Sequence, residues 1–228
     1  MEEACNNIFR PAGEIVSKAM RKHLDTSKPY PSLSNPSHLA RTANRHRQKK
    51  RPTDPTELCL TLDIDFIGQD FLQSDIHVRG NRHLIFATTA ELDILFKCRH
   101  WLIDSTFKVV RKPFYQLFSI HGFVKSGDFV KQVPLLFSLM SSRKKRDYKH
   151  VLQSIVDLAN TVVVEHITVD YEHAIWRTIP KVFPTVTIHG CGFHWAQAVR
   201  RQVQAHGLQI AYRQDCGTHR FIRKLLAM

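Results

Sequence analysis

Two aspartates stand where phosphodiester chemistry would want them. Asp104 closes the apolar run in HWLIDSTF, and Asp170 closes the run in HITVDYE. Carboxylates at the carboxyl ends of neighbouring strands could hold Mg²⁺, which prefers carboxylate and water oxygens over nitrogen or sulfur. A two-metal site activates a water or a 3′-hydroxyl and stabilises the leaving oxygen. The same spacing fits a plainer role, because Asp often ends a strand and caps the turn or helix behind it. A second group is Cys191-x-x-His194 with Cys216-x-x-His219, ligand types that tetrahedral zinc accepts. Zinc fingers show C-x2-C and H-x3-H halves, and 14 histidines also allow buried thiols and surface imidazoles here.

Cations lie near both groups. Arg200 and Arg201 follow the C-x-x-H segment, and Lys144 and Lys145 lie inside the cluster Arg143–Arg146. These four are the candidate phosphate contacts, since backbone recognition needs charge near the acidic site without base specificity. Trp195, Tyr212 and Phe221 interleave with basic residues and could stack bases, although Phe221 with Leu225 also fits an apolar helix face. Other chemistries lack their residues. The chain has no G-x-x-x-x-G-K-[ST], no G-x-G-x-x-G and no G-x-S-x-G. An acidic exonuclease wants D-x-E on the first strand, whereas here Asp104 precedes Ser105 and Thr106.

The elements that must carry these residues follow from periodicity. HWLIDSTFKVV, FYQLFSIHGFV and VKQVPLLFSLMS are β-rich runs with short polar connections, which predicts an antiparallel meander. DYKHVLQSIVDLAN spaces Tyr148, Val151, Leu152, Ile155 and Leu158 as a helix. HITVD is a short buried strand, and YEHAIWRTIPKVF a helix that Pro180 bends or ends. TVTIHGCGFH is a fifth strand, and WAQAVRRQVQAHG and THRFIRKLLAM are helices. The order β-β-β-α-β-α-β-α predicts a mixed five-stranded α/β sheet with helices on both faces. Asp104 and Asp170 then meet at one sheet edge.

In that order, WLIDSTFKVV, FYQLFSIHGFV, KQVPLLFSLMSSRKKRDYKHVL, ITVDYEHAIWRTIPKVFP and IHGCGFHWAQAVRRQVQAHGL resemble the MULE-type (Mutator-like element) transposases over about residues 84–228. The resemblance implies an RNase H-like core with a DDE-type acidic triad that cuts and joins DNA. It casts Asp104 and Asp170 as catalytic ligands of Mg²⁺ or Mn²⁺, and Cys191 and His194 as the C-x-x-H motif that follows. In the family the third acid, usually Glu, lies on a helix beyond a largely helical insertion. This chain ends at Met228, which the resemblance places inside that insertion. Asp215 is the sole acid after His194 and its context does not match the third position; Glu172 is not cast as third ligand either. Little or no catalysis is therefore expected from this chain alone. The rival is a transposon-derived, non-catalytic nuclear protein that binds DNA or other partners.

Composition agrees with a polyanionic partner. With 33 Lys and Arg against 20 Asp and Glu the net charge is +13, over a globular mixture of 43% apolar and 23% charged residues. No apolar run reaches the roughly 18 residues of a membrane span, and the first residues lack a signal peptide's apolar block. Five widely spaced cysteines make no disulfide framework. DNA is the expected partner, membrane is not, and an oligomer is compatible with the pattern. Residues 41–51 hold six Arg or Lys and no acid, behind the Pro- and Ser-rich KPYPSLSNPSH, which reads as loop or extended chain. Residues 1–55 thus read as a mobile basic arm with a short helix near Glu14–Leu24, serving DNA contact, nuclear localisation or simple linkage. Residues 56–98 read as a small mixed α/β lead-in with a helix over Leu84–Leu95, and 99–228 as the core with a partial helical insertion at its end.

Overall fold

The computed structural model describes residues 10–23, 34–50, 55–68, 70–159 and 161–227. Leu24, Arg51 and Met228, used in the expectations above, lie outside the described residues. The chain forms two compact units, residues 1–54 and 55–228.

In the first unit, α1 (Ala12–His23) packs on α2 (Pro36–Lys50). Ala12 and Ile15 meet Ala40 and Ala43, small side chains that let two helices approach closely. The Arg47 guanidinium donates to the Arg10 carbonyl at 2.8 Å. Helix α2 corrects the expectation of loop or extended chain before residue 41. Pro36 opens the helix, where a missing N–H costs nothing, and the Asn35 side chain caps it by accepting from Ser37 N at 3.0 Å. The basic run of residues 41–50 is therefore helical.

The second unit is built on one mixed sheet of seven strands in the order β1-β2-β5-β4-β3-β6-β7. β3 (His100–Thr106), β4 (Gln116–Ser126) and β5 (Phe129–Met140) form the antiparallel meander. β6 (His166–Val169) pairs parallel with β3, and β7 (Thr187–Gly190) parallel with β6. The expected count of five strands is corrected to seven, because β1 (Leu72–Val78) and β2 (Asn81–Phe86) add a hairpin to the β5 edge. Its turn is made by Arg79 and Gly80, both at positive φ (46° and 79°), as a two-residue hairpin requires. A single turn, α3 (Ile64–Ile67), precedes it.

The helix expected over Leu84–Leu95 divides between β2 and α4 (Thr89–Lys97). Leu84 and Ile85 are both buried, so the strand shows no alternation to betray it. Thr88 starts α4 through a reciprocal capping box with Glu91. After β5 comes α5 (Lys145–Asp157), then α6 (His173–Trp176) and α7 (Ile179–Val182), two short helices where one helix bent or ended by Pro180 was expected, with Pro180 in the first turn of α7. α8 (Gly192–Ala205), α9 (Gln209–Gln214) and α10 (Cys216–Leu226) complete the described elements.

The core joins Trp101, Phe118 and Ile120 of the sheet to Leu95 of α4 and Tyr148, Val151, Leu152 and Ile155 of α5. The Trp101 indole donates to the Leu95 carbonyl at 3.0 Å and meets Phe183 edge-on. One carboxylate is sealed into this unit. Asp147 is fully buried and accepts from Ser142 Oγ (2.7 Å), Asn81 Nδ2 (3.2 Å) and Lys144 N (3.2 Å), with His83 Nε2 at 3.4 Å. Burial alone would raise the Asp147 pKa, but the Ser142, His83 and Asn81 contacts outweigh it and hold it below 3.8. Burial holds His83 below 6.5, against the pull of Asp147.

Both shifts act in one direction. The unfolded chain takes up protons that the folded chain refuses, so stability is lost as pH falls below about 6.5 for His83 and below about 4 for Asp147. Asp147→Ala strands several buried donors and should cost roughly 2–4 kcal/mol in denaturant melts at neutral pH. The variant should also show a shallower acid limb than the parent, and a matching limb would show that Asp147 carries none of it.

Candidate active site

The backbone ladder between β3 and β6 decides where the aspartates fall. Leu102 pairs with Thr168, and two residues further on the same register sets Asp104 level with Asp170, just past the end of β6. Neighbouring strands lie about 4.8 Å apart. Alternation puts both on one face. His100 and Asp104 share a side of β3, Thr168 shares its side of β6 with the position of Asp170, and His100 Nε2 lies 2.8 Å from Thr168 Oγ1. The opposite side carries buried Trp101, Ile103, Ile167 and Val169.

The two carboxylates differ in their surroundings. Asp104 is 35% exposed and faces His194, whose Nε2 is 3.9 Å from its Oδ1. The Asp170 Oδ1 accepts from Glu172 N at 3.2 Å, so this residue does make the turn contact that Asp commonly makes after a strand. Its carbonyl accepts from the Trp176 indole at 2.6 Å. His194 reaches Asp104 because Cys191 is the N-cap residue of α8 and donates its backbone N–H to the Val169 carbonyl at 2.7 Å. The C-x-x-H segment thereby seats the first turn of α8 on the end of β6. His121 on β4 also senses the site: burial lowers its pKa while the Asp104 charge opposes the shift.

Glu172 was passed over as a ligand, and the structure gives it a different job. Its Oε2 accepts from the Tyr148 hydroxyl at 2.8 Å, and Gln116 Nε2 donates to that hydroxyl at 2.9 Å. Burial raises the Glu172 pKa and the Asp170 charge adds to this, with the Tyr148 bond and Arg143 pulling the other way. The Tyr148 phenol is itself driven well above 10 by burial, so it remains a donor. The alternation of apolar positions hid this network, because Tyr148 fits the α5 stripe as a core residue. Tyr171, between the two acids in sequence, lies across Gly190 and packs near Trp176 and Trp195.

The remaining candidates are dispersed. Cys216 and His219 lie in the first turn of α10, while the Trp195 indole donates to the Leu225 carbonyl at the other end of that helix. α8 and α10 are thus antiparallel, which puts Cys216 and His219 near the far end of α8 from Cys191 and His194, about 20 Å along a 14-residue helix. The shared zinc set is corrected accordingly. Among the described residues no group of three or more His, Cys, Asp or Glu is placed to hold a metal ion. Asp215 caps α10 by accepting from Thr218 N at 2.6 Å. Arg200 and Arg201 are exposed on α8, with Arg201 donating to Gln197. Lys144 is the N-cap residue of α5 and Lys145 its first residue. Phe221 is exposed, not core.

Residues 100–198 match the MULE transposase domain. Asp104, Asp170, Cys191 and His194 all fall inside the MULE match, and the resemblance carried by the motif order is shown over those residues. No curated protein matches the chain. A solved structure, the Drosophila P element transposase strand transfer complex, aligns with 82% of this chain at 12% identity and a TM-score of 0.35. The chain covers half the length of that one.

Gly190 is one of the points in the matched segment that leave no room for a side chain. A Cβ there would run into the Tyr171 ring. Gly190→Ala should therefore push Tyr171 off its seat beside Trp176 and Trp195, at a cost of about 1–3 kcal/mol. A lower melting temperature with altered indole fluorescence is the expected result, and unchanged values of both would remove Tyr171 from the support of this edge.

Proposed function

We propose that this chain carries part of the catalytic core of a MULE-type DNA transposase, with Asp104 and Asp170 as two carboxylates of a DDE site on an RNase H-like sheet. The observation that carries this reading is the β3–β6 register, which levels the two aspartates on one face within the matched segment. The order β5-β4-β3-β6-β7, antiparallel and then parallel, supports an RNase H-like arrangement with the β1–β2 hairpin as an addition.

The donors fit a hard divalent cation. Asp104 has the His194 ring at 3.9 Å, and Asp170 accepts one backbone hydrogen bond, so both keep oxygen lone pairs free. Asp147, satisfied on every side, shows what a structural aspartate looks like in this fold. Bound Mg²⁺ or Mn²⁺ would supply activation of a hydroxyl and neutralisation of phosphate charge. Within the protein, Asp104 and Asp170 would hold it, and His194 would restrict the approach to Asp104. DNA is the substrate of this reading, and a nuclear location goes with it.

A second reading has its own observation. Glu172 is engaged by Tyr148, and no third carboxylate groups with the two aspartates among the described residues. This favours a domain that keeps the fold and DNA contact without cleaving by itself.

Mn²⁺-dependent nicking of supercoiled plasmid tests the proposal. Nicking should fall at least about 100-fold in both Asp104→Asn and Asp170→Asn, exceeding what loss of an outer-shell partner costs. DNA binding should persist in both variants. Nicking that survives both substitutions would overturn the site, whereas absence of nicking with intact binding would establish the second reading.

A further inference from the structure

The run Arg143–Arg146 lies at the amino end of α5, where the helix dipole favours anions and opposes cations. Lys144 even occupies the N-cap, a position that ordinarily carries Ser, Thr, Asp or Asn. The tertiary fold brings further positive charge to the same place. The Thr178 hydroxyl lies 3.2 Å from the Lys145 carbonyl, which draws the α6–α7 junction against the start of α5. Arg177 is the C-cap residue of α6 and Lys181 lies in α7, so both flank Thr178.

α5 packs against α7, and the Lys181 charge, with that of Arg177 adding to it, holds the Lys145 ammonium below its ordinary pKa. All three side chains are exposed. Among the described residues none of the three has an acidic ion-pair partner. Like charges held together without a counter-charge raise the energy of the folded state, and a polyanion is the ligand that offsets this. The patch also adjoins the carboxylate edge. Arg143, at the head of the same run, stacks over Phe107 and Tyr115 and lies 4.0 Å from Glu172, two residues from Asp170.

We propose that Lys145, Arg177 and Lys181 form a clamp for the phosphates of the DNA backbone, seating a length of duplex beside the edge that carries Asp104 and Asp170. The proposal rests on the DNA-processing reading above and adds Arg177 and Lys181, which nothing in their sequence spacing connects to Lys145.

The test is binding of the full chain to duplex DNA between about 50 and 200 mM salt. Each phosphate contact contributes about 0.9 to the slope of log K against log salt, so Lys145→Gln/Arg177→Gln/Lys181→Gln should lower the slope by about 2–3. The triple variant should melt no lower than the parent, because repulsion is removed. Lys97→Gln/Lys125→Gln/Lys131→Gln deletes equal charge elsewhere and should change the slope by less than about 1. Equal slopes for the two triple variants would overturn the clamp, as would a melting temperature several degrees lower in the first. Asp104→Asn should keep the parental slope, so failure of nicking and failure of the clamp give separate results.

Discussion

Three rungs of parallel backbone pairing, His100 with His166, Trp101 with Ile167 and Leu102 with Thr168, constrain everything of chemical interest in this protein. A slip of one residue would turn every β6 side chain to the other face. Thr168 and Asp170 would then enter the core, and Ile167 and Val169 would meet solvent. The register is fixed because Trp101, Ile103, Ile167 and Val169 all need burial, and that need is met on one face alone. The position of two hydrophilic carboxylates is thus held by apolar side chains on the opposite side of the same strands.

Helix α5 links the core to the site. Its inner stripe of Val151, Leu152 and Ile155 anchors it on the sheet, and Asp147 ties its first turn to Asn81 and His83 on β2. One residue on, Tyr148 extends from the same turn to Glu172 and Gln116. A polar network spanning β2, β4, α5 and the segment after β6 therefore fixes how the chain leaves β6 behind Asp170. Such networks cost stability when partly satisfied and confer a single geometry when complete. Burial holds Tyr148 protonated and His83 below its ordinary pKa, and it leaves the His83 Nδ1 without a partner.

The parts of the fold that were legible in the sequence are those where one periodicity dominates. The meander, α5, β6 and β7 each bury one face against solvent on the other, so alternation or helical spacing survives in the residues. β2 was misread because Arg82, His83, Leu84 and Ile85 are all buried, two of them polar, which erases the period of two. Helix α2 was missed because its capping signal, Asn35-Pro36, is also a turn signal, and the difference lies in packing against Ala12 and Ile15. The levelling of Asp104 with Asp170 was legible from the expected strand order, although β3 runs on to Thr106 and does not end at Asp104. The role of Glu172 was not, because it depends on Tyr148 reaching across 24 positions of sequence. The shared zinc set failed for the reverse reason: spacing that looked paired in sequence is spread along antiparallel helices.

Charge at the sheet edge follows a consistent logic. Burial raises the pKa of Glu172, and the charge of Asp170 two residues away adds to it. Arg143 and Tyr148 relieve it for Glu172, while Asp104 has the His194 imidazole at 3.9 Å and no Lys or Arg ion pair among the described residues. On the neighbouring surface Lys145 and Lys181 repel each other without an acid between them. The fold therefore keeps two opposite charge excesses side by side and does not let them cancel. Mutual neutralisation would be the cheaper arrangement for a protein selected on stability alone, since even exposed ion pairs contribute up to about 1 kcal/mol. Under the proposed function the counter-charges arrive from outside, a cation for the carboxylates and phosphates for the lysines, and a metal-loaded DNA backbone would present both at once.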